Sequence, residues 1–507
     1  MNILLVCPRF SEETFWSWEG VRPIIGRKIK AAFPPLGLLT VAAMLPGTWR
    51  KRVVDLRVRE LTDEDIRWAD YVFVSAMTTQ GGSAREVIVR CAKLNAVVVL
   101  GGPILENGCE EFAGVSHFLL GEVENTLHGF VADLERGIAQ RVYQPRKFPD
   151  ISTSPVPLWS LVDHRAYASM LMQFCRGCPF KCTFCNVCSI NGRVPRTKTP
   201  DQFLAELDAL YKTGYRGAIM MADDDFTGNK PKVKELLRRL IVWQKKQKDK
   251  YPFRFTVEAD ITIADDKELM ELMRLAGVIR VFLGLETPNK GSLLECGKLH
   301  NANRDMVACV KEILGHGLVV TSGFIVGFDA DDPEKFDQEM IDFIQRTGIV
   351  VAMAGILQAP PGTELYARMQ REGRLMGQAT GNNTNLYPNF TPRMPVERLV
   401  EGYKRIVGEI YSPRGYYERI CAFLRDYDAT KKVAGKVKAS DLKALVRSMW
   451  YIGVRGGLKR GFKTSYYYWK SLLLAAFVYP RAFPEVVTSL VFGAHLQEFA
   501  RSITETR

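Results

Sequence analysis

Five cysteines within fourteen residues constrain this chain more than any other feature: Cys175, Cys178, Cys182, Cys185 and Cys188, here called the cysteine loop. The middle three have the spacing C-x3-C-x2-C, which suits three thiolates that bind three irons of a [4Fe–4S] cube and leave the fourth iron open. A zinc ribbon would need its two C-x2-C pairs about fifteen residues or more apart, although free or zinc-binding thiols remain alternatives. We predict that Cys178, Cys182 and Cys185 hold such a cluster, and that the two outer cysteines do not.

The composition is that of an ordinary globular protein. The chain has 507 residues, of which 47% are hydrophobic and 25% are charged, enough for two or three domains. No apolar run approaches the ~18 to 20 residues of a membrane span. Nothing at the N-terminus resembles a secretory signal, so disulfides are not expected. We expect a cytoplasmic protein, at most peripheral to a membrane.

Residues 1–145 alternate between short apolar runs and helical patterns. NILLVC at 2–7 is typical of a buried parallel strand, and further strands are predicted near 52–58, 71–75 and 96–100. Small or polar residues follow these strands, where open α/β sheets bind their ligands. No G-x-G-x-x-G follows the first strand, so a dinucleotide is disfavoured, and turns alone would also explain the glycines. The candidate ligand contacts are Ser75, Met77, Thr78, Gly101, Gly102, Gly121 and Glu122.

A second alternating segment follows a Pro-bearing linker at 146–168. Repeated strand–helix units over 169–385 predict a parallel sheet curved into a partial or full barrel, with functional groups at the carboxyl ends of its strands. Residues 386–507 are predicted to be helical. The predicted barrel strands lie near 170–174, 217–221, 253–258, 280–285, 319–326 and 352–357.

Acidic residues stand at the ends of three of these predicted strands. Asp223, Asp224 and Asp225 are adjacent and repel one another, so at least one needs a cationic or hydrogen-bonded partner. Glu258 and Glu286 end strands that are otherwise apolar, which suits binding of hydroxyl groups or an ammonium better than packing. A solvated acidic loop is the alternative for the three aspartates.

These motifs resemble the radical SAM superfamily, whose loop is C-x3-C-x2-C with an aromatic residue, here Phe184, before the last cysteine. The form RGCPFKCTFC is similar to the cobalamin-dependent branch, and the tracts ETPNKGSLLECGK, GNNTN and YSPRGYYERI are similar to the subfamily that contains the hopanoid methylases. The likeness runs from residue 1 to about 425. It implies an N-terminal Rossmann-like cobalamin-binding domain, a radical SAM barrel, and a helical, basic C-terminal extension.

The resemblance also assigns S-adenosylmethionine contacts. The open iron would bind the amino and carboxylate groups of this cofactor, beside the three aspartates; the family's usual form resembles D-D-N-F, from which Asp225 departs. Glu258 would bind the ribose and Glu286 would lie in the same pocket. Gly323 and Gly327, in GFIVGFD, resemble a segment that lets the backbone approach the adenine.

The resemblance places cobalamin at the strand ends of the N-terminal domain. The family motif D-x-H-x-x-G, whose histidine binds the lower face of cobalt, is absent. His117 and His128 occur in other contexts and are expected to be structural. We therefore expect bound cobalamin without a histidine on its lower face.

The last eighty residues are basic. Between residues 427 and 470 there are eleven Lys or Arg and two Asp, so this segment carries +9 of the formal net charge of +13. Aromatic residues are interleaved with the charges, which suits contact with an anionic membrane. A solvated helical face is an equal alternative, whereas no motif for nucleic acid accompanies the charges.

Together these features predict a cobalamin-dependent radical SAM methyltransferase. It would methylate an unactivated carbon of a hydrophobic substrate such as a lipid or isoprenoid, with an external electron donor such as flavodoxin or ferredoxin and no nucleic acid partner. A radical cyclase or carbon–carbon bond-forming enzyme without methyl transfer is the alternative. An electron-transfer or cluster-sensing protein is disfavoured, because it would not need the carboxylates at the strand ends.

Overall fold

A computed structural model describes residues 1–10, 21–26, 28–377, 379–433 and 439–505. In these residues two six-stranded parallel sheets precede a helical C-terminal region. The predicted α/β architecture with a helical extension is therefore confirmed.

The first sheet has the strand order β2-β1-β3-β4-β5-β6, and all neighbouring strands are parallel. Strand β1 is buried on both faces, and its buried residues are accordingly apolar, as is usual for a central strand of a parallel sheet. The strand order reverses between β1 and β3, which is where open α/β sheets form a ligand crevice. The strands are β1 (Asn2–Cys7), β2 (Arg50–Asp55), β3 (Tyr71–Ser75), β4 (Val97–Gly101), β5 (His117–Leu119) and β6 (Val142–Tyr143), and the helices are α1 (Arg22–Ile25), α2 (Leu36–Met44), α3 (Asp63–Trp68), α4 (Gly81–Lys93) and α5 (Leu127–Glu135).

The second sheet has the sequential order β14-β13-β12-β11-β10-β7, again all parallel. Its two edge strands do not pair with each other in the described residues, so the sheet is a partial barrel. The strands are β7 (Met170–Met172), β10 (Ala218–Met221), β11 (Arg254–Ala259), β12 (Val278–Glu286), β13 (Val319–Val326) and β14 (Ala352–Ile356), and β8 (Cys175–Arg176) and β9 (Arg196–Thr197) form a separate antiparallel pair. The helices are α6 (Val187–Ile190), α7 (Pro200–Lys212), α8 (Lys230–Lys246), α9 (Lys267–Ala276), α10 (Lys290–Glu295), α11 (Leu299–Ala302), α12 (Met306–Gly315), α13 (Phe336–Thr347) and α14 (Glu364–Arg371).

Capping residues and apolar faces explain why these helices form where they do. The Asp266 side chain accepts a hydrogen bond from the amide of Leu269 at 3.0 Å and so caps α9. At its other end, Gly277 adopts a left-handed conformation with φ of 94°. The buried face of α9, Leu269, Met270, Met273 and Ala276, packs in the core of the partial barrel.

The C-terminal helices share their core with the partial barrel. Arg419 is fully buried and donates hydrogen bonds to the carbonyl oxygens of Val350, at 3.2 Å, and Ile410. Of the described helices, none is long and apolar enough to cross a membrane. The helices are α15 (Val396–Ile410), α16 (Pro413–Asp426), α17 (Ala439–Ser448), α18 (Arg455–Arg460), α19 (Phe462–Phe477) and α20 (Phe483–Glu505), with a π-helix at Met449–Val454 between α17 and α18.

Candidate active site

The cysteine loop is closed by its own backbone. Strands β8 and β9 pair, so the chain returns to where the loop begins. Gly177 has φ of 92°, and a Cβ at this position would lie 2.9 Å from the carbonyl oxygen of Gly192. That carbonyl accepts a hydrogen bond from the amide of Cys178 at 3.2 Å. Only glycine fits at 177, because a side chain would meet the returning chain.

The three predicted ligand thiols lie close to one another and are poorly solvated. Burial, followed by the charge of neighbouring groups, raises the pKa of Cys178 and of Cys185 to about 12. Burial also raises the pKa of Cys182. Thiolates here are therefore costly unless a cation neutralises them, which fits an iron–sulfur cluster. No three side chains of the described residues converge on a point that would hold one metal ion, but a cube takes one thiolate per iron and needs no such convergence.

The other two cysteines of the loop have protein surroundings. The Cys188 thiol donates a hydrogen bond to the carbonyl oxygen of Phe180 at 3.0 Å. Cys175 is fully buried in β8, and burial followed by the charge of Asp223 raises its pKa above the ordinary value. That neither is a cluster ligand stays a prediction.

Two of the three adjacent aspartates hold the cysteine loop. Asp223 accepts hydrogen bonds from the amides of Phe174, at 3.0 Å, and Cys175. Asp224 accepts one from the amide of Gly177 at 2.7 Å. Burial raises the pKa of both carboxyl groups, although these hydrogen bonds oppose the effect. Asp223 is only 2% exposed, so it does not belong to a solvated acidic loop.

Buried carboxylate oxygens without protein partners face the same region. One oxygen of Asp223 and one of Asp225 are buried and lack hydrogen-bond partners in the described structure. Glu258 forms no side-chain hydrogen bond or ion pair with any described residue. Burial, followed by the charges of Asp224 and Asp225, raises the pKa of Glu258 to about 7. Acceptors of this kind need a donor, so they fit the ammonium and hydroxyl groups of a bound cofactor.

The last predicted carboxylate, Glu286, is paired with a lysine that the sequence analysis missed. Glu286 ends β12 in a left-handed conformation, with φ of 64°, and forms a buried ion pair with Lys298. Burial alone would lower the pKa of Lys298, but the charges of Glu286 and Cys182 raise it. Lys298 therefore places a positive charge beside the cysteine loop. The only sequence signal was its position two residues after Cys296, in the tract CGK.

The two glycines of β13 and its following turn differ in their surroundings. A Cβ at Gly323 would meet only the ring of Phe282, at 3.4 Å. Gly327 has φ of 100°, and its amide donates a hydrogen bond to Asp331 at 2.8 Å. Gly323 thus packs beneath the ring of Phe282, whereas Gly327 is needed for the turn. Their contact with adenine remains a prediction.

The candidate cobalamin contacts lie around the carboxyl ends of β3, β4 and β5. Gly102 has φ of 98°, and a Cβ there would lie 2.7 Å from the carbonyl oxygen of Ala76, so the tight turn alone requires glycine. A Cβ at Gly101 would contact Leu119, and a Cβ at Gly121 would contact Pro145. Met77 is 53% exposed at the end of β3. With the adjoining Ser75 and Thr78, Met77 remains the best-placed group for a ligand.

Ion pairs join this edge of the first sheet to the cysteine loop. Glu122 pairs with Arg176 at 2.6 Å and with Arg196 at 2.5 Å, and Glu124 pairs with Arg176 at 2.9 Å. We call these four residues the ionic bridge; all four side chains are largely buried. The Glu122 carboxylate is therefore engaged with the loop, and its contact with a ligand remains a prediction.

Two further contacts bring the two sheets' functional edges together. Asn186, in the cysteine loop, donates a hydrogen bond to Glu106 at 3.0 Å. Glu106 belongs to the 3-10 helix that follows β4. Near the end of the partial barrel, the Cβ position of Gly381 lies 3.3 Å from the Thr78 side chain. The carboxyl edge of the first sheet thus faces the cysteine loop and the partial barrel.

Comparison with known proteins agrees with this arrangement. The model of the radical SAM superfamily matches residues 172–344, and a domain of unknown function matches residues 363–507. The hopanoid C-2 methylase of Rhodopseudomonas palustris is 32% identical over 472 residues, covering 91% of this chain and 88% of the methylase. The chain belongs to the radical SAM superfamily. The predicted likeness to the hopanoid methylase subfamily is confirmed.

Two other comparisons extend over nearly the whole chain. An uncharacterized methyltransferase of Synechocystis sp. is 38% identical over 510 residues, covering 100% of this radical SAM protein and 93% of the relative. The radical S-adenosylmethionine methyltransferase TsrM from Kitasatospora setae, solved with cobalamin and a [4Fe–4S] cluster, has a TM-score of 0.59 at 15% identity. That match covers 96% of this chain and 99% of TsrM, and it shows a shared fold.

The predicted cluster ligands can be tested one cysteine at a time. We expect anaerobic reconstitution to give about four irons per chain, and Cys178→Ala, Cys182→Ala or Cys185→Ala to abolish the visible chromophore, since each removes one of three protein ligands. Cys188→Ala and Cys175→Ala should largely keep it. Iron content and absorbance measure the cluster, and circular dichroism controls for folding. Loss of the chromophore in folded Cys188→Ala would mean that the ligand set is wrong.

The ionic bridge should hold the cysteine loop in place. Glu122→Ala leaves Arg176 and Arg196 buried with too little negative charge, so the opening free energy of the loop amides should fall by about 3–5 kcal/mol. Hydrogen exchange at residues 175–197 measures this change. The matched control is Glu111→Ala, whose pair with Arg85 is half-exposed, for which about 0–1 kcal/mol is expected. Equal exchange in the two variants would show that the bridge does not hold the loop.

Proposed function

We propose that this protein is a cobalamin-dependent radical SAM methyltransferase that acts on an unactivated carbon of a hydrophobic substrate. One observation carries the proposal: the cysteine loop contacts the carboxyl edge of the first sheet through the ionic bridge and the Asn186–Glu106 hydrogen bond. Cofactors bound at these two places would be neighbours. The methyltransferase and hopanoid methylase named among the relatives support the same reaction class.

An unactivated carbon demands chemistry that side chains cannot supply. Its C–H bond has no acidic proton, so no general base of the protein could open it. When bound, the cluster with S-adenosylmethionine supplies a 5′-deoxyadenosyl radical, and methylcobalamin supplies a methyl group. The protein's own residues then bind and orient: the three thiols hold the cluster, the unpaired oxygens of Asp223 and Asp225 accept hydrogen bonds, and the ionic bridge fixes the distance between the two edges.

The histidines of the first domain support cobalamin without a histidine on its lower face. His117 is the first residue of β5, so it lies at the amino end of the strand, opposite the ligand crevice. Its Nδ1 lies 2.7 Å from the carbonyl oxygen of Gln140. His128 lies on the exposed side of α5. Neither is at a strand's carboxyl end. A bound cobalamin would therefore show no histidine nitrogen on cobalt.

Two observations support a hydrophobic substrate: an exposed apolar side chain at the carboxyl edge of the first sheet, and the name of one relative. Met77 presents a large apolar side chain at the end of β3, beside Thr78. One of the relatives is named as a hopanoid C-2 methylase. An apolar side chain exposed at the proposed reaction site suits an apolar substrate better than a charged one.

Glu258 offers a direct test of S-adenosylmethionine binding. Replacing this carboxylate by Gln removes a charge-assisted acceptor worth about 1.5–3 kcal/mol. The Kd should therefore rise about 10- to 100-fold in equilibrium dialysis with the cluster-loaded enzyme. Because its pKa is raised on folding, charged Glu258 destabilises the fold at neutral pH, so Gln should not unfold the chain.

The matched control for this test is Glu268→Gln, an exposed carboxylate paired with Lys234 on the helical side of the barrel. Its Kd should match that of the wild-type enzyme. An unchanged Kd in Glu258→Gln would remove Glu258 from the cofactor site, whereas a rise in both variants would indicate a general effect of charge.

The reaction class is tested by its products. The reconstituted enzyme, with methylcobalamin, a flavodoxin or ferredoxin reductant and a lipid extract of its source cells, should form 5′-deoxyadenosine and S-adenosylhomocysteine in about equal amounts. Label from the S-adenosylmethionine methyl group should appear in the lipid fraction. The control is Cys182→Ala, which should form neither product. Altered lipid and 5′-deoxyadenosine without S-adenosylhomocysteine would instead indicate radical cyclisation or coupling.

A further inference from the structure

Exposed apolar side chains are concentrated in one part of the chain. Of the twenty-two large hydrophobic residues that are exposed in the described structure, ten lie between residues 442 and 478. Scattered exposed apolar residues are normal, but a concentration of this kind marks an interaction surface. The ten residues are Leu442, Val446, Trp450, Val454, Leu458, Phe462, Tyr466, Leu473, Phe477 and Val478.

These residues belong to a helical hairpin, residues 439–478. Helix α17, the π-helix and α18 form one continuous helix, the chain turns at Gly461 with φ of 94°, and α19 returns beside it. The Trp469 indole donates a hydrogen bond to the carbonyl oxygen of Gly453 at 3.1 Å, and Ser465 donates to the same oxygen. A Cβ at Gly453 would lie 2.9 Å from Trp469, so glycine lets the two arms approach closely.

The base of the hairpin is anchored and its tip is not. Tyr468 and Leu472 of α19 are buried in the core that also contains the partial barrel. At the tip, Leu458 is 85% exposed and Phe462 is 79% exposed, one on each side of Gly461. Side chains this exposed gain little from burial within the described structure. They fit insertion into an apolar phase instead.

The apolar residues form a stripe with basic neighbours. The first five, from Leu442 to Leu458, recur every four residues along the first arm, so consecutive members lie on neighbouring turns, and Phe462 and Tyr466 have the same spacing on α19. Exposed Lys443, Arg447, Arg455 and Lys463 each follow a member of the stripe. Residues 439–478 contain seven Lys or Arg and a single acidic residue, Asp441.

We propose that this hairpin docks the enzyme on an anionic lipid bilayer, with Leu458 and Phe462 inserted between the lipid head groups. Apolar side chains at the tip would enter the acyl boundary, while the adjacent cations would bind lipid phosphates, as interfacial helices do. The charge selects this occupant, because seven cations against one carboxylate complement a surface of anionic lipids. Membrane binding at the hairpin is independent of the reaction at the cysteine loop.

Vesicle binding by the full chain tests the tip. The wild-type protein should co-sediment with vesicles of phosphatidylcholine containing 30% phosphatidylglycerol. The double variant Leu458→Ser/Phe462→Ser should bind about 100-fold more weakly, because burial of each of the two apolar side chains favours binding about tenfold. The matched control, Val89→Ser/Val242→Ser, removes two exposed apolar residues from α4 and α8 and should bind like wild type.

A second pair of variants tests the charges. Arg455→Gln/Lys463→Gln should weaken binding about 30-fold, whereas Lys245→Gln/Lys246→Gln, the matched change on α8, should leave it unchanged. Raising the salt concentration should weaken wild-type binding. Equal binding to vesicles with and without phosphatidylglycerol, or full binding by the tip variant, would overturn the proposal. A wild-type dimer that dissociates in the tip variant and ignores vesicles would also overturn it, since the hairpin would then bind a second copy of the chain.

Discussion

Buried carboxylates that hold the cysteine loop are the interaction on which the candidate site depends. Asp223 and Asp224 bind its backbone from the partial barrel, and Glu122 and Glu124 bind its two arginines from the first sheet. Buried ion pairs contribute little net stability, because desolvation offsets most of their attraction, but a missing partner is costly. The effect of these carboxylates is therefore to exclude other conformations of the cysteine loop. A loop held from both sides can keep a redox centre at a fixed distance from both sheets.

The electrostatics of the site explain why it should take cationic cofactors. The carboxyl groups of Asp223, Asp225 and Glu258 and three thiols lie in one poorly solvated region, and burial raises the pKa of each. The positive charge of Lys298 is already shared with Glu286. Iron ions and the sulfonium and ammonium groups of S-adenosylmethionine would supply the missing positive charge. The protein alone is thus electrostatically incomplete, and cofactor binding would relieve the cost of burying these acids.

The sequence predicted those parts of the fold that have local signals. The apolar runs of β1 and β13 gave correct strand bounds, whereas β5 and β6, with three and two residues, are too short to show a period. Strand β7 ends at Met172 rather than at the predicted 174, because the amide of Phe174 donates to Asp223 instead of a neighbouring strand. The spacing of cysteines and the acidic strand ends located the candidate site. The ionic bridge and Lys298 were missed, since their partners are chosen by tertiary structure and leave no local pattern.

The shared core gives the C-terminal hairpin a second consequence. Its base packs in the same core as the partial barrel, so the hairpin is attached to the body of the enzyme rather than to a free tail. A bilayer bound at the tip would therefore fix the orientation of the whole enzyme relative to the membrane plane, which a flexible basic tail could not do. An enzyme bound to the bilayer would also encounter a substrate dissolved in it by diffusion in two dimensions rather than three. The basic, aromatic composition suits contact with a membrane, whereas the orientation of the enzyme at that membrane follows only from the hairpin and its buried base.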